Sequence, residues 1–227
     1  MSSSESSEYS DYGDLFDYNN KFKTFDDMVE YNIDWINNKI KNNVVSKTFG
    51  YANNGKYEME PVIVNKDLMI KLNNLGFLTT GSQGGHMGTH ENCEYKERAY
   101  VTGYIKTNIA KQLRKTMNYD NKYFQYIPIT NITNCNINRD FEFLEYYLRV
   151  PVTVHKDVVT NEYLSETHIG MDYVLLILNS VESDLKSNLI NNYSLCYSWD
   201  PLFGVPFDDK DNGLMTKLCD HIEKLSN

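Results

Sequence analysis

The stretch Leu68–Ile105, LMIKLNNLGFLTTGSQGGHMGTHENCEYKERAYVTGYI, decides how the chain is read. It opens as a helix, with Leu68, Leu72 and Leu75 recurring on one face at helical spacing. Gly76 follows where a left-handed closing residue is wanted. Phe77-Leu78-Thr79 predicts a short strand, and Gly81-Ser82-Gln83-Gly84-Gly85 a Gly-rich loop. A polar insert carries His86, His90 and Cys93. From Glu97 the pattern is that of a strand. Ala99, Val101, Gly103 and Ile105 share one face, and Tyr100, Thr102 and Tyr104 the other. Gly103 has no side chain to pack, so backbone or ligand is expected to approach it closely.

Downstream, Thr107 is suited to cap a helix whose Ile109, Leu113 and Met117 face inward. Residues Phe124–Ile129 predict another strand, so strand, helix and strand suggest a βαβ unit with a right-handed crossover. Pro128 marks that strand as short or at an edge. Asn131–Asn138 reads as a loop, and Asp140 can cap a helix with Phe141, Leu144 and Leu148, which Pro151 stops. Val150, Val152 and Val154 alternate with Thr153 and His155 as a half-buried strand. Tyr173–Leu178 is an apolar run of strand length, read as a central strand. Tyr193–Trp199 predicts a further strand, Asp200-Pro201 a turn, and Leu214, Leu218 and Ile222 a last helix.

Upstream, Thr24 and Asp27 form a capping-box pattern ahead of Val29, Ile33, Ile36 and Ile40. Gly50–Gly55 reads as a loop and Pro61–Val64 as a short extended run. Residues 1–20 are rich in Ser, Glu and Asp with Tyr9, Tyr12, Phe16 and Tyr18 interspersed. They read as a disordered acidic tail, or more sharply as a docking motif for a protein partner. The expectation is α+β: a single globular domain over residues 21–227, with a mixed β-sheet of about five strands flanked by helices and containing one βαβ unit.

Composition narrows the function classes. The net charge is −9 over 227 residues, and Glu5, Glu8, Asp11, Asp14 and Asp17 precede the first base, Lys21. Nucleic acid is disfavoured as a partner, because a basic surplus is missing. No apolar run of membrane length and no leader-like N-terminus occurs, so a cytoplasmic protein with no membrane partner is expected. Cys93, Cys135, Cys196 and Cys219 lack paired spacing and read as reduced thiols. The abundance of Asn and Tyr fits an AT-rich coding genome, as in some large DNA viruses or protists.

The string LNNLGFLTTGSQGG, followed after a gap by ERAYVTG, resembles an uncharacterised domain family. Its members carry a GF-x-T-x-x-SQPG loop and then QRA-x-V-x-G. Asp200-Pro201-Leu202-Phe203-Gly204 is similar to that family's late DP-aromatic-G turn. The resemblance covers the chain from about Thr24 onward. Gly84 stands where Pro is usual and Glu97 where Gln is usual, so the loop here is expected to be less rigid. The resemblance implies a fold and brings no activity.

Candidate chemistry gathers at the same stretch. Consecutive amides at Ser82, Gln83, Gly84 and Gly85 could cradle an anion. Arg98 could add a fork of donors, with Tyr100 nearby. The loop is neither a P-loop nor a dinucleotide fingerprint, since the required spacing fails. The bland alternative is a flexible connection whose Arg pairs with Glu97 or with a helix end. His86, His90 and Cys93 have zinc-compatible spacing but no marked fourth ligand, so neither a metal nor another cofactor is assigned. Lys106, Lys111, Arg114 and Lys115 read first as a solvated helix face, and otherwise as a docking patch for phosphates or for the acidic tail. Trp199-Asp200-Pro201 with Phe203-Gly204 reads as a structural corner, or as an aromatic pocket wall with Tyr100 or Tyr104. The expectation is a non-catalytic binding or interaction protein with a ligand loop at 81–85. The alternative is a small-molecule enzyme acting on a phosphate- or carboxylate-bearing substrate at that loop.

Overall fold

The computed structural model describes residues 22–37, 50–53, 56–59, 66–85, 87–90, 93–119, 123–134, 151–157, 163–167, 177–204 and 213–226. The acidic segment 1–20, the extended run Pro61–Val64 and the expected helix at Phe141–Leu148 lie outside them. In chain order the elements are α1 (Phe25–Ile36), β1 (Gly50–Asn53), β2 (Lys56–Met59), α2 (Lys66–Asn74), β3 (Leu78–Gln83), β4 (Met87–His90), β5 (Cys93–Lys106), α3 (Thr107–Tyr119), β6 (Tyr123–Pro128), α4 (Ile129–Thr133), β7 (Pro151–Asp157), β8 (Tyr163–Thr167), α5 (Ser183–Asn192), β9 (Tyr193–Phe203) and α6 (Leu214–Ser226). No helix among the described residues is long and apolar enough to cross a membrane.

The fold is α+β. Its sheet follows the path β6-β9-β5-β7-β8, with β3 and β4 also paired to β5. Every ladder in it among the described residues is antiparallel, where a mixed sheet was expected. The βαβ unit exists in split form. β5 and β6 are both antiparallel to β9 and so run parallel to each other, with β9 between them and α3 as the crossover. Sequence order could not reveal this, because the inserted strand arrives some seventy residues later.

Two apolar clusters cover the two faces of the sheet. On one, Tyr100, Tyr104, Leu195, Tyr197 and Trp199 pack with Met28 of α1 and with Leu185 and Leu189 of α5. On the other, Ala99, Val101, Ile105 and Cys196 pack with Leu72 of α2, Leu113 and Met117 of α3, and Leu218 and Ile222 of α6. The alternation along residues 99–105 is therefore the division between the two cores.

Local chemistry explains the helix ends. Thr24 and Asp27 form the full capping box, with Asp27 N–H donating to Thr24 Oγ1 at 3.0 Å and Thr24 N–H to Asp27 Oδ2 at 2.9 Å. At the end of α2, Phe77 N–H donates to Leu72 O and Gly76 N–H to Asn73 O, with Gly76 at φ 83°. This is the Schellman pattern, and glycine supplies the left-handed residue at no steric cost. It turns the chain directly into β3. Asn32, Asn73 and Thr79, all fully buried, tie α1, α2 and β3 together. Asn32 Nδ2 and Thr79 N–H donate to Asn73 Oδ1, while Asn73 Nδ2 donates to Met69 O and Thr79 Oγ1.

Several expectations need correction. Gly50–Asn53 and Lys56–Met59 pair as the β1–β2 ladder, where a loop was expected at Gly50–Gly55. The polar insert holds β4, so β5 begins at Cys93 rather than Glu97. Thr107 is the first residue of α3, and its hydroxyl bonds Ser194 Oγ at 2.9 Å instead of capping. Ile129–Thr133 is helical where a loop was expected from Asn131. Ile177 and Leu178, at the end of the supposed central strand, are helical and buried. A short apolar run has no period of its own, so burial alone could not separate strand from helix there. Residues 173–176 of that run lie outside the described residues, and the middle of the strand path is β5.

Candidate functional site

β5 is paired on both edges along its length, and its partners change at Arg98. Toward the C-terminus, Arg98 to Lys106 pair with β9. Toward the N-terminus, Glu97 to Cys93 pair with β7. On the other edge, β3 sets Ser82 opposite Val101 and Gln83 opposite Tyr100. β4 resumes the same register with Met87 opposite Lys96. The expected Gly-rich loop is thus mostly strand: Gly81, Ser82 and Gln83 belong to β3, and only Gly84 and Gly85 lie outside it.

Antiparallel partners share a face of the sheet. Gln83, Tyr100, Arg98 and Met87 therefore fall on one face, and Ser82, beside Val101, on the other. Ser82 Oγ is buried there without a hydrogen-bond partner. The ladder accordingly puts Ser82 on the other face from Arg98 and sets Gln83 opposite Tyr100, two positions along β5 from Arg98.

The seam is closed by the far end of β9. The register between β5 and β9 slips between Tyr100 and Arg98, where Asp200, Pro201 and Leu202 are accommodated as a bulge. Leu202 N–H donates to Asp200 Oδ1 at 2.9 Å, the side-chain turn that the Asp-Pro pair suggested. Gly204 N–H donates to Glu97 O at 2.8 Å. Gly204 has φ 73°, and a Cβ there would sit 2.7 Å from Met87 Cγ, so β4 leans against this corner.

An aromatic wall surrounds Arg98 on its face. The guanidinium lies 4.2 Å from the centre of the Phe203 ring. Tyr100 stacks on Tyr197 at 5.5 Å, Tyr197 meets Trp199 at 5.3 Å, and Tyr123 stacks on Trp199 at 5.2 Å. Tyr104 lies deeper in the same cluster. Tyr123, stacked on Trp199, is 49% exposed, so the wall opens to solvent at that end. Burial pulls the Arg98 pKa below its usual value, while Tyr197, Asp200 and Tyr123 push it back up. Arg98 Nε is buried without a partner. The Tyr197 hydroxyl is likewise unpartnered; burial first, and Tyr100 second, raise its pKa well above the usual value, against the pull of Arg98. A phenol so placed stays protonated and offers only a donor or a neutral acceptor.

Of the zinc-spaced residues, His90 stands opposite Cys93 across the β4–β5 ladder, and His86 falls outside the described residues. Cys196 and Cys219 are free thiols, both buried; burial drives Cys196 well above its usual pKa and pushes Cys219 up to about 12. Sequence reasoning missed Tyr197, Tyr123 and the proximity of Phe203 to Arg98. The alternation Tyr193, Leu195, Tyr197, Trp199 was a signal that one face of β9 is aromatic, but its neighbour was not readable from it. The chain matches no protein-family model and no curated protein sequence.

Proposed function

We propose that the protein is a non-catalytic binding protein that holds a ligand bearing an anionic group at the Arg98 seam. Gln83, Gly84 and Gly85 flank the seat across the ladder, and Tyr100 forms part of its wall. The observation that carries this reading is the guanidinium over the Phe203 ring, next along the sheet to the stack of Tyr100, Tyr197, Trp199 and Tyr123. A fixed planar cation beside aromatic rings suits a group that is charged at one end and apolar at the other. The likeness to the SQPG-loop domain family is part of this proposal and lends it a fold, not an activity.

The alternative, an enzyme acting on a phosphate- or carboxylate-bearing substrate at the same seam, has less support. Ser82 is on the opposite face, and the acid whose charge reaches Arg98, Asp200, holds the bulge turn with Oδ1. A thermal-shift panel of nucleotides, sugar phosphates, carboxylates and zinc, run on the wild type and on Arg98→Ala, tests the proposal. A ligand that binds the native state raises its melting temperature. A ligand that stabilises the wild type and not the variant supports the seat. Failure of every ligand in the panel to stabilise the wild type more than the variant removes it, and conversion of such a ligand into a product moves the reading to the enzyme.

A further inference from the structure

At the C-terminal end of β5, away from Arg98, two depressions meet at Lys106 and Tyr193. One, of about 420 Å³, is walled by Phe25, Leu75, Ile105 and Ile109, with Asp26 at its margin. The other, of about 610 Å³, is walled by Lys111, Asn188, Asn191 and Asn192. We propose that this double cleft binds a small amphiphilic anion, an aryl phosphate by chemical class. Its phosphate lies between Lys106 and Lys111 and its ring lies in the apolar lobe.

Charge argues for the phosphate end. No carboxylate side chain is among the residues lining the polar lobe. Two helix ends meet there: the N-terminus of α3, about half a positive charge, and the C-terminus of α5, about half a negative one, so they offset each other. The exposed ammoniums of Lys106 and Lys111 then set the sign of the lobe. Lysine presents a point charge with rotatable donors, which suits a tetrahedral dianion better than a planar carboxylate. Lys106 ends β5 and Lys111 lies in the second turn of α3, so their backbone separation is fixed by the strand–helix junction. Asn192 Nδ2 donates to Asn188 Oδ1 at 2.7 Å, which orders the amide side of the lobe.

The apolar lobe gives the ring its place and the ligand its direction. Tyr193 stacks on Phe25 with centroids 4.5 Å apart, a rigid flat surface beside Ile105 and Ile109. Asp26 repels an anion from this lobe, and its charge, after burial, contributes to raising the Tyr193 pKa. A bare phosphate would leave the apolar wall wet, and a bare phenol would leave both ammoniums without a counter-ion.

The test is a titration of the full chain with phenyl phosphate, inorganic phosphate and phenol, read from the backbone amide resonances of Asn108, Ile109 and Tyr193. Phenyl phosphate is expected to shift them saturably and to bind about tenfold tighter than either half alone. The double variant Lys106→Ala/Lys111→Ala, at exposed positions where folding is not at stake, is expected to weaken it by about tenfold or more. Arg98→Ala is expected to leave it unchanged, which keeps this cleft separate from the seam. The proposal is overturned by absence of saturable shifts, by inorganic phosphate binding equally well (an adventitious ion only), or by unchanged affinity in the lysine variant.

Discussion

Arg98 and Phe203 face each other across the β5–β9 ladder, with the guanidinium 4.2 Å from the ring centre, at the one point where β5 trades β9 for β7. The pair joins the two halves of the sheet and at the same time offers a cation on an aromatic surface. These two roles can be separated. Arg98→Ala removes a partly exposed cation–π contact, so a stability loss of about 1 kcal/mol is expected in denaturant unfolding, with loss of binding at the seam. Arg98→Lys should keep most of the stability and lose most of the binding, because the planar fork is gone. A variant that unfolds the chain outright would make the residue structural.

Tyr197→Phe is expected to leave stability unchanged or raise it by up to about 1 kcal/mol, since its hydroxyl is buried without a partner. The stacking with Tyr100 and Trp199 survives the change. A loss of about 2 kcal/mol in calorimetric unfolding would mean that the hydroxyl is bonded in solution.

Two glycines should respond differently to alanine. At Gly103 a Cβ would stand 2.4 Å from Leu78 O and from Phe77 Cε1, so Gly103→Ala must push strand backbone and a buried ring, at about 2–3 kcal/mol. The close approach anticipated at this position comes from the neighbouring strand and not from a ligand. At Gly76 there is open space but φ is 83°, so Gly76→Ala should cost only about 1 kcal/mol. Urea midpoints of the two variants, compared at equal m-value, decide the order.

Asn73→Ala should destabilise by about 2–4 kcal/mol, because it strips partners from Asn32, Thr79 and Met69 O within a fully buried network. Thr79→Val in the same background should then cost much less than in the wild type. Additive losses in a double-mutant cycle would contradict the network.

Asp27 supplies a pH dependence. Hydrogen bonds from Thr24, with a smaller contribution from Lys23, hold its carboxyl below its ordinary value of 3.8. A depressed folded-state pKa gives stability that is present above the unfolded value and lost as pH falls through the folded one. Below about pH 4 the stability of the wild type should therefore fall more steeply than that of Asp27→Asn. Parallel acid limbs in the two melting profiles would show that the capping box is broken in solution.

Much of this fold was legible in one dimension because its causes are local. The capping box at Thr24, the glycine closing α2, and the alternation along residues 99–105 each depend on neighbours a few positions away. The Asp200 turn belongs with them, since an Asx side chain bonds backbone two residues on. The helical fate of Ile177 and Leu178, and the helix Ser183–Asn192 with Leu185 and Leu189 at i and i+4, were harder. A buried apolar run satisfies either period, and a polar helix with two leucines is a faint pattern.

The sequence by itself determined the helix caps, the two-faced character of β5 and the aromatic alternation of β9, since steric and hydrogen-bonding preferences of adjacent residues set them. Only the tertiary structure decided that β9 lies between β5 and β6, that Gly81–Gln83 join the sheet, and that Ser82 and Arg98 point to opposite faces. Those outcomes follow from ladder register between segments distant in sequence, about twenty residues for β3 and β5 and about a hundred for β5 and β9, where a shift of one position exchanges every side chain between the two cores.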